Sequence, residues 1–294
     1  MDQNKTGIQA KALHWYPGHM AKTRRLIEEN LKLIDVAVEI TDARIPFSGR
    51  NPYLDDFMKT KPRMILMNKS DMADQNVTSK WIEFYEKQGI HVIPISCATG
   101  AGINKILPEA EKLVSDKLER DKEKGRNRTL KLMITGIPNV GKSSLINKLS
   151  GKAGTITGNK PGVTKGKQWI RLRGSCELLD TPGILPQKFE DESVAERLAL
   201  TGAIKDEIMN TELLSYKLID YLKTNYNNEL CERYKIKTDI SEYESYEILE
   251  LIGRNRGFVI SGGETDTERA AKMIIDEFRA CKIGKITLEF PETI

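Results

Sequence analysis

The eight residues Gly136-Ile137-Pro138-Asn139-Val140-Gly141-Lys142-Ser143 constrain this chain more than any other stretch. They read G-x-x-x-x-G-K-[ST], a loop that turns backbone N–H groups toward phosphate at the start of a helix. Leu130 to Thr135 read as the strand that must come before such a loop, and Ser144 to Leu149 as the helix that must follow it. Glycine is required because a side chain would block close approach of the backbone to phosphate. In this reading Lys142 reaches the β- and γ-phosphates and the Ser143 hydroxyl faces Mg²⁺. Asn139, Val140, Gly141 and Ser144 complete the cradle. Most domains of this kind carry the loop near their start, yet here more than a hundred residues precede it.

Those preceding residues carry motifs of their own. Val36-Ala37-Val38-Glu39-Ile40, Arg63-Met64-Ile65-Leu66-Met67 and His91-Val92-Ile93-Pro94-Ile95 read as buried strands, with helical stretches at about 77–88 and 103–120 between and after them. Strands alternating with helices argue a parallel α/β sheet with its chemistry at the strand ends. The second strand delivers Asn68-Lys69-Ser70-Asp71, which reads N-K-x-D. A carboxylate at Asp71 can accept from the N1–H and exocyclic amine of guanine, a pair that adenine cannot supply, while the Lys69 stem covers the base face. The third strand delivers Ser96-Cys97-Ala98, whose backbone can offer an N–H to the guanine O6. Each motif is weak alone; together, each at a strand end, they select GTP over ATP.

Downstream of the phosphate loop, Gln168 to Arg173 and Cys176 to Leu179 read as a strand pair ending at Asp180-Thr181-Pro182-Gly183. Asp180 can join the Mg²⁺ shell and the Gly183 N–H can face a γ-phosphate. Thr164, after the Pro161-Gly162 turn, is the favoured hydroxyl to close on Mg²⁺ and γ-phosphate, with Thr155 and Thr157 as competitors. The residue after Gly183 is Ile184, then Leu185; neither can orient an attacking water, so another residue must do so.

The motif set resembles the translation-factor-related GTPases in rotated order, with the guanine-reading elements before the phosphate loop. That is the order of circularly permuted GTPases. Trp15-Tyr16-Pro17-Gly18-His19-Met20, Asp42-Ala43-Arg44-Ile45-Pro46 and the helical C-terminal region further resemble the ribosome biogenesis GTPase A (YlqF) family over essentially the whole chain. The resemblance implies GTP hydrolysis to GDP and phosphate, stimulated by a ribosomal subunit, in a late assembly factor of the large (50S) subunit that contacts its rRNA. It points to His19 as the residue that positions water; helix capping or a partner contact is the alternative. Lys142, Thr164 and Gly183 would act beside it in catalysis. It also points to Asn139 as a K⁺ ligand, against an ordinary loop role. The competing readings are a non-catalytic GTP-sensing RNA-binding module and a small-subunit or tRNA-related GTPase.

From Ala153 to Cys176 the chain has no acidic residue but carries Lys160, Lys165, Lys167, Arg171 and Arg173 around Trp169, a composition suited to RNA phosphates. Gly253-Arg254-Asn255-Arg256-Gly257 forms a second small basic turn. The net charge of +4 permits such a partner without demanding one. Capping boxes at Ser193–Glu196, Ser241–Glu244 and Thr265–Glu268 predict helices in the last third of the chain, with a short strand at 286–290. The expectation is therefore a circularly permuted P-loop GTPase sheet over residues 1–188 and a smaller all-helical C-terminal domain over 189–294. The four scattered cysteines, the absence of a leader segment and the lack of a membrane-length apolar run favour a cytoplasmic protein with reduced thiols, expected to be a monomer.

Overall fold

The computed structural model describes residues 29–51, 61–126, 128–151, 168–172, 176–180, 191–204 and 210–293. His19, Thr164 and Gly183 lie outside these residues. So does Asp180 beyond its backbone. The described residues pack as two units: 29–180 with 277–293, and 191–276.

The first unit is built on a six-stranded sheet. Its strands are β1 (Val36–Asp42), β2 (Arg63–Asn68), β3 (His91–Pro94), β4 (Leu130–Gly136), β5 (Gln168–Arg171) and β6 (Cys176–Asp180). Their spatial order is β3-β2-β1-β4-β6-β5, parallel throughout except for the antiparallel edge pair β5–β6. β1 is buried at all seven positions. Its apolar residues Val36, Ala37, Val38 and Ile40 suit a parallel sheet covered on both faces, and the buried Glu39 accepts from Arg50 Nε at 2.9 Å.

The permutation is legible in this order. β4, which opens the phosphate loop, is fourth in the chain yet lies between β1 and β6. Register brings the chemical ends together: Asp42 pairs with Asn68, Ile40 with Gly136, Met67 with Pro94, and Ile134 with Asp180. All five motif-bearing strand ends therefore share one edge, the crevice where open α/β sheets bind ligands.

Helix α1 (Gln75–Glu86) starts where the Asp74 carboxylate accepts from the N–H groups of Asn76 and Val77. It buries Val77, Trp81 and Tyr85, spaced at four residues, against Ala43, Ile65, Met67 and Val92. The single helix expected over 103–120 is instead a short 3₁₀ turn (Ile103–Lys105), α2 (Ile106–Lys112) and α3 (Ser115–Glu123). The break falls at Val114, whose φ of −128° and ψ of 20° lie outside the helical region. Helix α4 (Lys142–Ser150) leaves the phosphate loop and ends at Gly151 in the left-handed conformation.

Residues 277–293 belong to the unit that holds the sheet. The expected strand at 286–290 is an extended strap without a ladder. Its Ile286 N–H donates to Met72 O (3.3 Å) and its Leu288 N–H to Arg44 O (2.7 Å). Trp81 Nε1 donates to Glu289 O at 2.9 Å. The buried Glu289 carboxylate accepts from the N–H groups of Phe47 (2.7 Å) and Ser48 (3.0 Å). It thereby caps the loop that follows β1. Glu289→Gln removes the charge from these bonds and should cost about 1.5–3 kcal/mol. A lower urea midpoint at an unchanged m-value is the expected reading; an unchanged midpoint refutes the role.

The second unit holds α5 (Glu192–Leu200), α6 (Thr211–Asn225), α7 (Asn227–Tyr234), α8 (Ser245–Asn255) and most of α9 (Thr267–Arg279). Its core places Leu218, Ile219 and Leu222 of α6 with Ile248, Leu249 and Ile252 of α8. The helices begin one to four residues away from the expected caps. Asp191 caps α5 by accepting from Ser193 N–H, and Glu244 with Glu247 forms the capping box of α8. Asp266 accepts from Arg269 N–H at the start of α9. An ionised carboxylate is the stronger acceptor for orphan N–H groups, and here it takes the position over a neighbouring hydroxyl.

Candidate nucleotide-binding site

The phosphate loop adopts the backbone that its glycines permit. Gly141 has φ of 101° immediately before α4, and Asn139 has φ of 59°, a conformation asparagine tolerates better than most residues. A Cβ on Gly136 would stand 2.6 Å from the Ile40 carbonyl oxygen, so the loop leaves β4 only by passing close over β1. Lys142 and Ser143 follow in the first turn of α4, with Ser144 next to them, and Lys142 is buried. Val140 is buried as well.

Asn68 ties three motifs into one body. Its Nδ2 donates to Val140 O (2.7 Å) in the phosphate loop, and its Oδ1 accepts from Cys97 N–H (2.9 Å) in the loop after β3. The sequence reading placed Asn68 among the nucleotide contacts. The structure gives it a bridging role, since both ends of its amide engage the protein. The same bonds narrow the reading of Ser96-Cys97-Ala98. Ser96 N–H donates to Ala101 O (3.0 Å) and Cys97 N–H to Asn68, whereas the Ala98 N–H has no partner among the described residues. Burial pushes the Cys97 thiol up to about 11, so it lines the loop as a neutral group.

Asp71 follows in the turn after β2, closed by Met72 N–H donating to Lys69 O (2.9 Å). Its Oδ1 is buried and accepts no hydrogen bond. A buried acceptor left unpaired costs about 1–3 kcal/mol, so such groups in native proteins call for a reason. Lys69, at φ of 61°, sends its ammonium 2.8 Å from the Asp42 carboxylate at the end of β1. Asp42 also carries Arg44, with Nε on Oδ1 (3.0 Å) and Nη2 on Oδ2 (2.8 Å). Burial alone would raise the Asp42 pKa. The charges of Arg44 and then Lys69, with their hydrogen bonds, outweigh it and hold the carboxyl well below its ordinary range.

The backbone of Asp180 ends β6, in register with Ile134 of β4. A hydroxyl from the first turn of α4 and a carboxylate at the end of β6 are hard oxygen donors. They suit Mg²⁺, which keeps few protein ligands and takes the rest from phosphate and water. Such an ion would supply positive charge against the charge that develops on the phosphates during transfer.

A sequence profile for the family described as "50S ribosome-binding GTPase" matches residues 131–246. Ribosome biogenesis GTPase A of Priestia megaterium is 44% identical over 281 residues, covering 95% of this chain and 97% of that protein. The chain belongs to the ribosome biogenesis GTPase A family. Its counterpart in Thermotoga maritima is 36% identical over 96% of both chains. The crystal structure of GNP-bound YlqF from T. maritima superposes with a TM-score of 0.61 at 32% identity, covering 92% of this chain and 99% of that one. The GDP-bound YlqF structure gives 0.63 at 31% identity. As a member of this ribosome biogenesis GTPase A family, the chain is a P-loop GTPase of the ribosome-biogenesis class with GTP as substrate and GDP as product. The family's rotated order also accounts for the profile match, which starts in β4 and omits the guanine-reading strands.

Among the described residues no helix is long and apolar enough to cross a membrane. The basic patches come out unequally. Trp169 is part exposed beneath Lys131, whose Nζ is 5.1 Å from the ring centroid, and Arg171 is exposed. Arg254 and Arg256 are partly engaged inside their own unit, Arg254 with Glu250 (3.1 Å) and Arg256 over the Tyr234 ring (5.3 Å). Sequence reasoning did not assign the buried fork between Asp42 and Arg44 or the Glu289 cap. Asp42-Ala43-Arg44 was visible as a motif, but its partners at 278 and 288 are far away in sequence.

Proposed function

We propose that this GTPase is a late assembly factor of the large (50S) ribosomal subunit, which stimulates its hydrolysis of GTP. The observation that supports the guanine reading best is the unpaired buried Oδ1 of Asp71, beside a free Ala98 N–H on the neighbouring loop. Asp71 would accept from N1–H and the 2-amino group, Ala98 N–H would donate to O6, and the Lys69 stem would cover the base. Lys142 and the backbone of residues 139–144 would hold the phosphates. Ser143, Asp180 and Thr164 would hold Mg²⁺, and the Gly183 N–H would face the γ-phosphate. His19 would orient water, because the position after Gly183 is occupied by Ile184. Asn139 would offer its amide oxygen to K⁺.

The large-subunit reading is supported by the family description and by the basic, aromatic stretch around Trp169. GTP turnover should be measured alone, with purified large subunits and with purified small subunits. Stimulation by the large subunit alone is expected; stimulation by the small subunit alone, or none by either, overturns it. Repeating the assay in KCl and in NaCl at equal ionic strength tests Asn139. Faster turnover in KCl is expected, and Asn139→Ala should abolish that difference.

A further inference from the structure

At the end of β1, one residue across the sheet from Asn68, lies a buried charge cluster that the nucleotide reading does not use. Asp42 is 3% exposed and Arg44 is 2% exposed. Both engaged nitrogens of the Arg44 fork run to Asp42, Nε to Oδ1 and Nη2 to Oδ2, and the Arg44 backbone N–H joins them on Oδ1. The remaining Nη1 is buried without a partner. An arginine fork alone would satisfy this carboxylate. Lys69 nevertheless brings its ammonium to 2.8 Å from the same Oδ2, while a quarter of its side chain stays exposed.

Lysine has a long stem with many rotamers, and ordering it costs on the order of 1.5–2 kcal/mol. A stem that must lie flat along a base would pay this cost at binding unless its end is already fixed. Asp42 fixes it. Asp42 is in turn held by Arg44, whose guanidinium carbon lies 5.3 Å from the Phe278 ring centroid and whose carbonyl accepts from Leu288 N–H. The anchor therefore reaches the strap of residues 277–293 through direct contacts.

We propose that Asp42, braced by Arg44, is a positioning residue for base recognition that pre-orders the Lys69 stem across the guanine-binding loop. The inference rests on the guanine reading of Lys69 and Asp71. Asp42 touches no nucleotide and acts through Lys69 alone. Its removal should lower affinity for guanine nucleotides without changing which base is chosen, because base choice belongs to Asp71.

The test measures binding and dissociation of fluorescent GDP and xanthosine diphosphate. The proteins are wild type, Lys69→Met, Asp42→Asn and their double variant. Asp42→Asn strands a buried arginine charge, so a second series carries Arg44→Met throughout; replacing a buried pair by apolar groups is often tolerated. Asp42→Asn should weaken GDP binding roughly 10- to 30-fold, the cost of ordering one lysine stem at binding. The GDP to xanthosine diphosphate ratio should stay as in wild type. Adding Lys69→Met should cost nothing further, a non-additivity that a merely structural role would not produce. Additive losses, an altered base ratio, or full affinity in a folded Asp42 variant overturn the proposal. Failure of both series to fold overturns it too, since the cluster would then serve the fold and not the site. If Lys69→Met alone leaves GDP affinity intact, the guanine reading of Lys69 fails. If Lys69→Met weakens binding and Asp42→Asn does not, only the positioning role fails.

Discussion

Asp71→Asn should cut GDP affinity by about 10²- to 10³-fold and raise affinity for xanthosine diphosphate. The carboxylate can accept two hydrogen bonds from the guanine edge, each to a charged acceptor and each shielded from water. An asparagine amide accepts one, and its Nδ2–H₂ faces the 2-amino group as donor against donor. Xanthine carries a carbonyl at that position, so the same amide becomes complementary. Discrimination of this size follows because a site built for particular polar partners is penalised when they are absent. The unfilled Oδ1 of Asp71 is what makes the prediction specific. Titrating both fluorescent diphosphates into each protein checks it. A parallel loss for both bases would mean that Asp71 holds the loop and does not read the base.

The second large effect is expected at Gly141. Gly141→Ala places a Cβ where φ is 101° and where it would collide with the Asn68 side-chain amide. The backbone strain alone is worth roughly 1–3 kcal/mol. The collision matters more, because displacing Asn68 breaks its bonds to Val140 O and from Cys97 N–H together. One methyl group then disturbs the phosphate loop and both guanine-reading loops. Nucleotide binding should fall more than 100-fold, on the order of 3 kcal/mol or more. Gly89→Ala is the control, since its φ is also positive at 74° but nothing lies within 4 Å of the added carbon. It should cost about 1 kcal/mol of stability and leave binding unchanged. Equal binding losses in the two variants would refute the bridging role of Asn68.

These two residues also mark how much the sequence disclosed. Gly141 and Asp71 were legible because short motifs at strand ends carry their own chemistry, and the strands were legible as short, mostly apolar runs. The parallel order of the sheet followed from alternating strands and helices. The bridging bonds of Asn68 were not legible, because its partners are Val140 and Cys97, and only the sheet register brings them together. The capping boxes failed for a local reason: at each start a nearby carboxylate made the better cap. Helix α7 was missed because Asn227 and Asn228 look like a turn. The strap failed for the opposite reason. Ile286 to Phe290 alternate like a strand, but no described strand pairs with them.

The Glu289 cap sets an order on the chain's synthesis. Ser48 and Glu289 are 241 residues apart, so the loop after β1 leaves the ribosome long before its acceptor exists. At ordinary elongation rates of 5–20 residues per second the wait is roughly 12–48 s. Through that interval the sheet can form, but Trp81, Phe47 and Ser48 have no strap to bind, and Arg44 lacks Phe278 and Leu288. The nucleotide-binding unit can be completed only after the helical unit has been made. Under the positioning role proposed for Asp42, a nascent chain would brace Lys69 fully only when its own translation is nearly finished.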